Sequence, residues 1–279
     1  MRRSSRITPT RLARPATTNV IRSVAVALAV GVGVPAAAQE HAGEQNRVGT
    51  PNPLYFSLGI AALSSPRPYV GATNTTTPLP IVELYYKRLY VQGTQAGFHL
   101  LRNDDFAFGV RGHLVLAGLE PDSSPFLGGM EERGSSIEGG VVFDWTPGEY
   151  KLSATAFTDL LGRSNGQQVG LDFSRTWTFD GMRYGLVPSV GAVWQSADFV
   201  DYYAGVRPQE VRPDRPAFRG ETAINFRASV TGYVFLTRQI QLVGQANLQR
   251  LDNEIYDSPI VDKRHGVSGF VGVAYRFGS

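Results

Sequence analysis

The sequence predicts an all-β protein, a transmembrane antiparallel up-and-down β-barrel of ten strands, with twelve as the alternative. Three observations predict it. Apolar and polar residues alternate with a period of two along most of the chain beyond residue 53. The connections between those stretches alternate between tight turns and longer polar loops. The N-terminus reads as an export signal, and no later run of about 18 apolar residues follows that could cross a bilayer as a helix.

The signal occupies residues 1–38. Six arginines (Arg2, Arg3, Arg6, Arg11, Arg14, Arg22) and no acidic residue precede "VAVALAVGVGV" (24–34), and Ala36-Ala37-Ala38 supplies a small-residue cleavage site. Cleavage there leaves Gln39 first, a short periplasmic segment over 39–53 and a barrel over 54–279. The pI near 9.2 owes much to the signal. Of 27 Lys and Arg, 21 remain beside 24 Asp and Glu, a mature charge of about −3, so no nucleic-acid partner is expected. Without cysteine there is neither a disulfide framework nor a thiolate metal site. The four histidines (His41, His99, His113, His265) are scattered without ligand spacing, and no metal or cofactor is expected.

The strands follow in order. Residues 54–62 alternate as the first. Residues 80–102 are less regular: Val82, Leu84 and Tyr86 share one parity, Glu83, Tyr85 and Lys87 the other, and the register blurs through Gly93 and Gly97. One long bulged strand there gives ten strands; two short strands with a further pairing give twelve. Residues 106–118 set Phe106, Phe108, Val110, Leu114 and Leu116 against Arg111 and His113. Residues 137–145 set Ile137, Gly139, Val141, Phe143 and Trp145 against Glu138 and Asp144. Residues 150–160 and 169–179 behave alike, except that Arg175 breaks the apolar face of the second. In 184–195 the apolar face is Tyr184, Leu186, Pro188, Val190, Ala192 and Trp194. In 222–236 it is Ile224, Phe226, Ala228, Val230, Gly232 and Val234, opposite Asn225, Arg227, Ser229 and Thr231. In 240–250 Ile240, Leu242, Gly244, Ala246 and Leu248 oppose Gln241, Val243, Gln245, Asn247 and Gln249. The last stretch, "GVSGFVGVAYRFGS", places Val267, Gly269, Val271, Val273, Tyr275 and Phe277 on a greasy face and Ser268, Phe270, Gly272, Ala274 and Arg276 on the other.

Four connections are tight: "RNDD" (102–105), "TPGE" (146–149), "FDGM" (179–182) and "TRQ" (237–239). The other five, near 64–79, 119–134, 161–167, 196–221 and 251–265, are mostly longer and polar. Short turns on one rim, longer loops on the other and an even strand count put both termini in the periplasm. Trp145, Tyr150, Trp177, Phe179, Tyr184, Tyr233, Phe235, Tyr275 and Phe277 gather near the short-turn rim, where an interfacial aromatic girdle belongs. A soluble β-sandwich would also alternate, but its second face would be ordinary solvent surface; here that face is rich in Gln, Asn, Arg and Glu and suits a polar lumen.

Several fragments, "PYVGA" (68–72), "PLP" (78–80), "GQQVGL" (166–171), "VGAVWQSADFVDYYAGV" (190–206) and "IYDSPIVDKRHGVSGFVGVAYRF" (255–277), together resemble the MipA/OmpV family of outer-membrane proteins over about residues 50–277. The resemblance implies a cell outer-membrane location, a monomeric barrel surrounded by outer-membrane lipid, and delivery by the barrel assembly machinery. It also implies a scaffold between that membrane and murein enzymes, a lytic transglycosylase and a murein synthase being the partners. Barrels of this kind end on an aromatic assembly signal. Tyr275 and Phe277 carry it here, with Gly278 and Ser279 following as a departure from the pattern.

The inward face would hold Glu83, Lys87, Arg111, His113, Glu138, Asp144, Lys151, Asp172, Arg227 and Arg276, with glutamines at 241, 245 and 249. Buried charges need partners, so these are expected to form a paired network that fills a narrow lumen rather than line a pore. Asp201, Tyr202, Tyr203 and Gly205, with Asp257, Ser258 and Pro259, are the loop candidates for a ligand, and otherwise fold their loops into the barrel mouth. His265 with Asp257 or Asp262 is the one pairing that could activate a nucleophile; no nucleophile elbow accompanies it, and no enzyme is expected. The competing functions are a narrow channel for small polar solutes and a surface adhesin working through the loops.

Overall fold

A computed structural model describes residues 54–65, 67–116 and 118–277. The signal peptide expected over 1–38, the segment 39–53, and Gly278 and Ser279 lie outside the described residues. Thirteen strands form one antiparallel sheet: β1 (Tyr55–Ser65), β2 (Thr75–Tyr86), β3 (Leu89–Gln92), β4 (Gln95–Arg102), β5 (Phe106–Val115), β6 (Ser136–Trp145), β7 (Tyr150–Asp159), β8 (Gln167–Arg175), β9 (Trp177–Phe179), β10 (Tyr184–Gln195), β11 (Ala223–Phe235), β12 (Ile240–Arg250) and β13 (His265–Phe277). The sheet closes on itself, because β10 pairs with β11 as well as with β8 and β9. The first and last strands are neighbours, joined from Phe56↔Phe277 to Ser64↔Gly269.

β8 and β9 follow one another along β10, so the wall has twelve strand positions. The break falls at Thr176, opposite Val187 and Pro188, where proline has no N–H to offer a ladder. Ten strands was therefore the wrong expectation and twelve the right one. The difference arises in the irregular segment, where one bulged strand was expected. Two tight turns, at Lys87-Arg88 and Gly93-Thr94, divide it into β2, β3 and β4. Lys87 and Gly93 each hold a φ of 55°, the left-handed region that tight hairpin turns require.

Alternation decides the faces. Leu58, Ile60, Val110, Val141, Leu171, Val190, Phe226, Val230, Leu242, Leu248, Val267 and Val271 are all exposed on the outer wall, a lipid-facing belt. Trp145, Tyr150, Trp177, Phe179, Tyr184, Tyr275 and Phe277 are exposed near the short-turn rim. Tyr233 and Phe235 depart from the expected girdle: they sit at that rim but turn inward, Tyr233 being buried. Arg175 now has a reason to face outward. It pairs with Glu149 at 2.9 Å and lies over the rings of Tyr150 and Trp177, so its guanidinium reaches the interfacial zone along aromatic surface.

The long-loop rim carries the remaining structure. Two helices, α1 (Ala197–Ala204) and α2 (Asn253–Tyr256), follow β10 and β12. Ser196 caps α1 by accepting from Phe199 N, and Asp252 caps α2 by accepting from Glu254 N. No helix among the described residues is long and apolar enough to cross a membrane.

Candidate functional site

The loops at the long-loop rim do not splay. Those after β1, β5, β10 and β12 meet in one apolar cluster that includes Tyr69, Leu119, Leu127, Val200, Ile255 and Ile260. These loops start from opposite sides of a closed wall, so their common core forms a cap across the mouth.

A buried ionic node ties the cap together. Glu210 takes Arg133 Nη2 on both carboxylate oxygens, at 2.9 and 2.8 Å. It also accepts from Glu131 N at 2.8 Å and Arg207 N at 3.0 Å. Burial pushes the Glu210 carboxyl up, but these backbone N–H groups and the Arg133 guanidinium outweigh it and hold the carboxyl below its ordinary value. Arg215 donates to Glu210 O at 3.0 and 2.8 Å and to Phe126 O at 2.6 Å. The residues of this node come from two loops and show no periodicity, so sequence reading missed it.

The loop candidates all lie in the loops that build this cap. Asp201 accepts from Gly220 N at 3.0 Å through Oδ1. Tyr203 is buried, its carbonyl accepting from the Tyr69 hydroxyl at 3.1 Å, while the Tyr202 carbonyl accepts from Arg133 Nε at 2.9 Å. Gly205 ends α1 and lies so close to Asp201 O that no Cβ fits there. Asp257 ends α2, Ser258 is buried and donates to Ala204 O at 2.6 Å, and Pro259 is half-buried. The arrangement folds both loops into the mouth. His265 is exposed at the start of β13.

Beneath the cap, side chains on neighbouring and next-neighbouring strands join along the inner wall in layers. Glu138 on β6 accepts from Gln168 Nε2 on β8 at 2.7 and 2.8 Å. Gln195 on β10 donates to Gln168 at 2.9 Å, Asn225 on β11 donates to Gln195 at 2.8 Å, and Asn225 accepts from Asp252 N at 2.8 Å. His113 Nε2 lies 3.3 Å from Glu138. Lower down, Arg227 on β11 reaches Asp172 on β8 with Nε at 2.7 Å. Nearer the short-turn rim Lys151 pairs with Asp144 at 3.1 Å, Tyr55 donates to Glu83 at 3.2 Å, Arg276 lies over the Tyr55 ring, and Arg111 donates to Tyr90 at 2.9 Å. Lys87 was expected among these and is not there. It occupies the short turn after β2, exposed, with its ammonium over Tyr86.

One side of the lumen is apolar, which sequence reading did not foresee. Ala61 and Leu63 on β1, Ile81 on β2, Val187 on β10, Tyr233 on β11, Val243 on β12, and Phe270 and Ala274 on β13 form a buried strip, with Leu79, Leu116 and Phe235 packed on it. Val243 and Phe270 were the visible signal: each stands alone among polar or small residues on its inward face.

The chain is similar to several known outer-membrane proteins. Among curated proteins, the chain is 26% identical over 225 residues to YiaT of Escherichia coli K12, provisionally named an outer membrane protein, covering 80% of this chain and 91% of that one. It is 24% identical over 230 residues to the MltA-interacting protein of Escherichia coli K12, covering 80% and 90%. It is 25% identical over 158 residues to the outer membrane protein OmpV of Vibrio cholerae, covering 57% and 61%. Among solved structures, OmpT of Vibrio cholerae aligns at 8% identity and a TM-score of 0.38, covering 81% of this chain and 97% of that one. A FadL homologue of Pseudomonas aeruginosa aligns at 10% identity and a TM-score of 0.38, covering 81% and 90%. The model of the family described as "MltA-interacting protein MipA" matches residues 58–277, from within β1 to the last residue of β13. A match spanning nearly the whole wall makes this chain a member of that family, an outer-membrane β-barrel.

Proposed function

We propose that the protein acts through its surfaces and not through an axial pore: it is a non-enzymatic outer-membrane scaffold whose periplasmic rim docks murein-remodelling enzymes, a lytic transglycosylase first and a murein synthase beside it. The cap is the observation that carries this reading. Loops from opposite walls share one buried core over the mouth, and hydrogen-bonded side chains line the inner wall below it. The cap opposes steady passage of solutes. The periplasmic turns expose charges of both signs, among them Lys87, Arg88, Asp104, Glu149, Asp180 and Arg238, a surface suited to recognising a folded partner. The relative named MltA-interacting protein supports the choice of partner class.

The test places a photo-crosslinking amino acid in living cells at Asp104 or Arg238 on the periplasmic rim, and at Glu132 on the outer face as a control. Murein enzymes captured from the rim positions and absent from the control are the expected result. Crosslinks to assembly machinery and lipid alone, together with steady conductance of the purified barrel, would replace the scaffold with a narrow channel.

A further inference from the structure

We propose that an interruption in the barrel wall between β2 and β5 is a lateral port, through which the hydrocarbon chain of an outer-leaflet amphiphile reaches the apolar strip inside the lumen. The port is independent of the scaffold role. It begins with β3, which has only four residues and pairs with β2 no further than Glu83↔Gln92. The last bond on that side is Gly93 N to Val82 O at 2.9 Å. Residues 75–81 of β2 are paired with β1 alone. Across the interruption, β5 makes its last bond toward the β3–β4 turn from Leu114 N to Thr94 O, at 3.1 Å.

Because Val82 O faces β3, the even-numbered residues of β2 turn their backbone N and O away from β1. Beyond Val82 these are Pro80, Pro78 and Thr76. Two of the three are prolines, which leave no N–H unsatisfied on an open edge and block pairing with a further strand. The edge therefore presents carbonyl acceptors and few donors. Among the described residues no backbone bond reaches it from the β5 side.

The position of the edge identifies what meets it. Pro80 is in register with Ile60, itself paired with Val273; Pro78 is in register with Ala62, itself paired with Val271. All four partners face outward within the lipid-facing belt, so the interruption is continuous with the surface that touches acyl chains. Its inner margin is apolar as well. Leu79 and Ile81 on β2 and Leu116 beyond β5 belong to or pack on the luminal strip, which continues through Ala61, Phe270 and Val243 to Tyr233 and Phe235 at the periplasmic end. A greasy strip inside an otherwise polar lumen, beside an open edge in the lipid belt and under a capped mouth, fits a hydrocarbon chain entering sideways. The carbonyls of Pro78 and Pro80 favour a polar end that donates hydrogen bonds, such as a hydroxyl.

The experiment uses the full mature chain folded into lipid nanodiscs and a long-chain fatty alcohol bearing a mid-chain diazirine. After irradiation, peptide mass spectrometry should find adducts on the inward-facing Leu79, Ile81 and Phe270. Ala61→Trp, in register with Leu79 and facing the strip, should abolish those adducts and leave adducts on outward-facing Ile60 and Val271 unchanged. Heat-modifiable gel migration verifies folding. Leu79→Gln, at a half-buried position, is the second variant and should weaken the inward adducts. The unlabelled alcohol should displace the probe at lower concentration than an alkane of equal length. Adducts confined to outward-facing residues, inward adducts that survive in both folded variants, or equal displacement by alkane would each overturn the proposal.

Discussion

Gln241 and Leu242 are neighbours in sequence that meet different solvents. Gln241 is 7% exposed on the luminal face of β12 and Leu242 is 36% exposed on the lipid face. Period-two patterning made both directions legible, because a strand fixed in a wall on both sides cannot turn one residue without turning all of them. Leu242→Arg should cost about 2–4 kcal/mol if it sits near the bilayer midplane, and Gln241→Arg clearly less, in urea unfolding from lipid vesicles. Equal costs would mean that no lipid meets Leu242. Val271, 64% exposed, should behave as Leu242 does. Gly272 is a poorer partner for that comparison, because a Cβ there would lie 2.7 Å from Ile81 Cδ1 and 2.9 Å from Ala61 Cβ. At the same scale, Glu138→Ala strands the Gln168 amide and His113 in a buried place, which should cost about 1–3 kcal/mol for each group left without a partner. Arg227→Ala should cost less than the roughly 3–5 kcal/mol of a fully buried pair, since both partners keep about a quarter of their side-chain exposure. Both variants should shift unfolding more than they change solute passage. Lys87 shows the limit of parity. It continues the inward phase of β2 by count, but the strand ends at Tyr86 and the turn takes the next residue out of the lumen.

Most long elements were read in their right places, and two of the features that were missed have physical reasons. β3 is four residues long, too short for alternation to declare itself, and the turn before β4 is marked only by Gly93. The cap was foreseen as folded-back loops, but its ionic node was not. Arg133 and Glu210 are 77 residues apart, and no local spacing announces a contact between two loops. The node gives the cap a pH dependence with a definite sign. The Glu210 carboxyl is held below its ordinary value in the folded cap. Its contribution is therefore fully present above the ordinary carboxyl range and is lost as the pH falls through the lower folded value. Hydrogen exchange of the 119–134 and 196–221 loops should accelerate, relative to the wall, as acid is added in that range. Glu210→Gln should loosen the same loops at neutral pH and remove most of the acid step. An acid step unchanged in the variant would assign it to other carboxylates.

At the scale of the molecule, the sequence carried the class and the faces. It suggested a partner class only through family resemblance, since nothing in alternating strands identifies what docks on their turns. One molecular expectation concerns residues outside the described barrel: the envelope-extracted protein should begin at or near Gln39, and an intact mass that retains Met1 would contradict the export signal. Strand number was misjudged by two without disturbing the topology, because a short hairpin adds strands in pairs and leaves the parity of the wall unchanged. The central claim is that a capped barrel works by its surfaces. The most direct measurement is single-channel recording of the full mature chain in a planar bilayer at neutral pH. No steady open state is the predicted result, with at most brief openings when the cap is loosened by Glu210→Gln. A stable, ohmic current through the unaltered protein would contradict it.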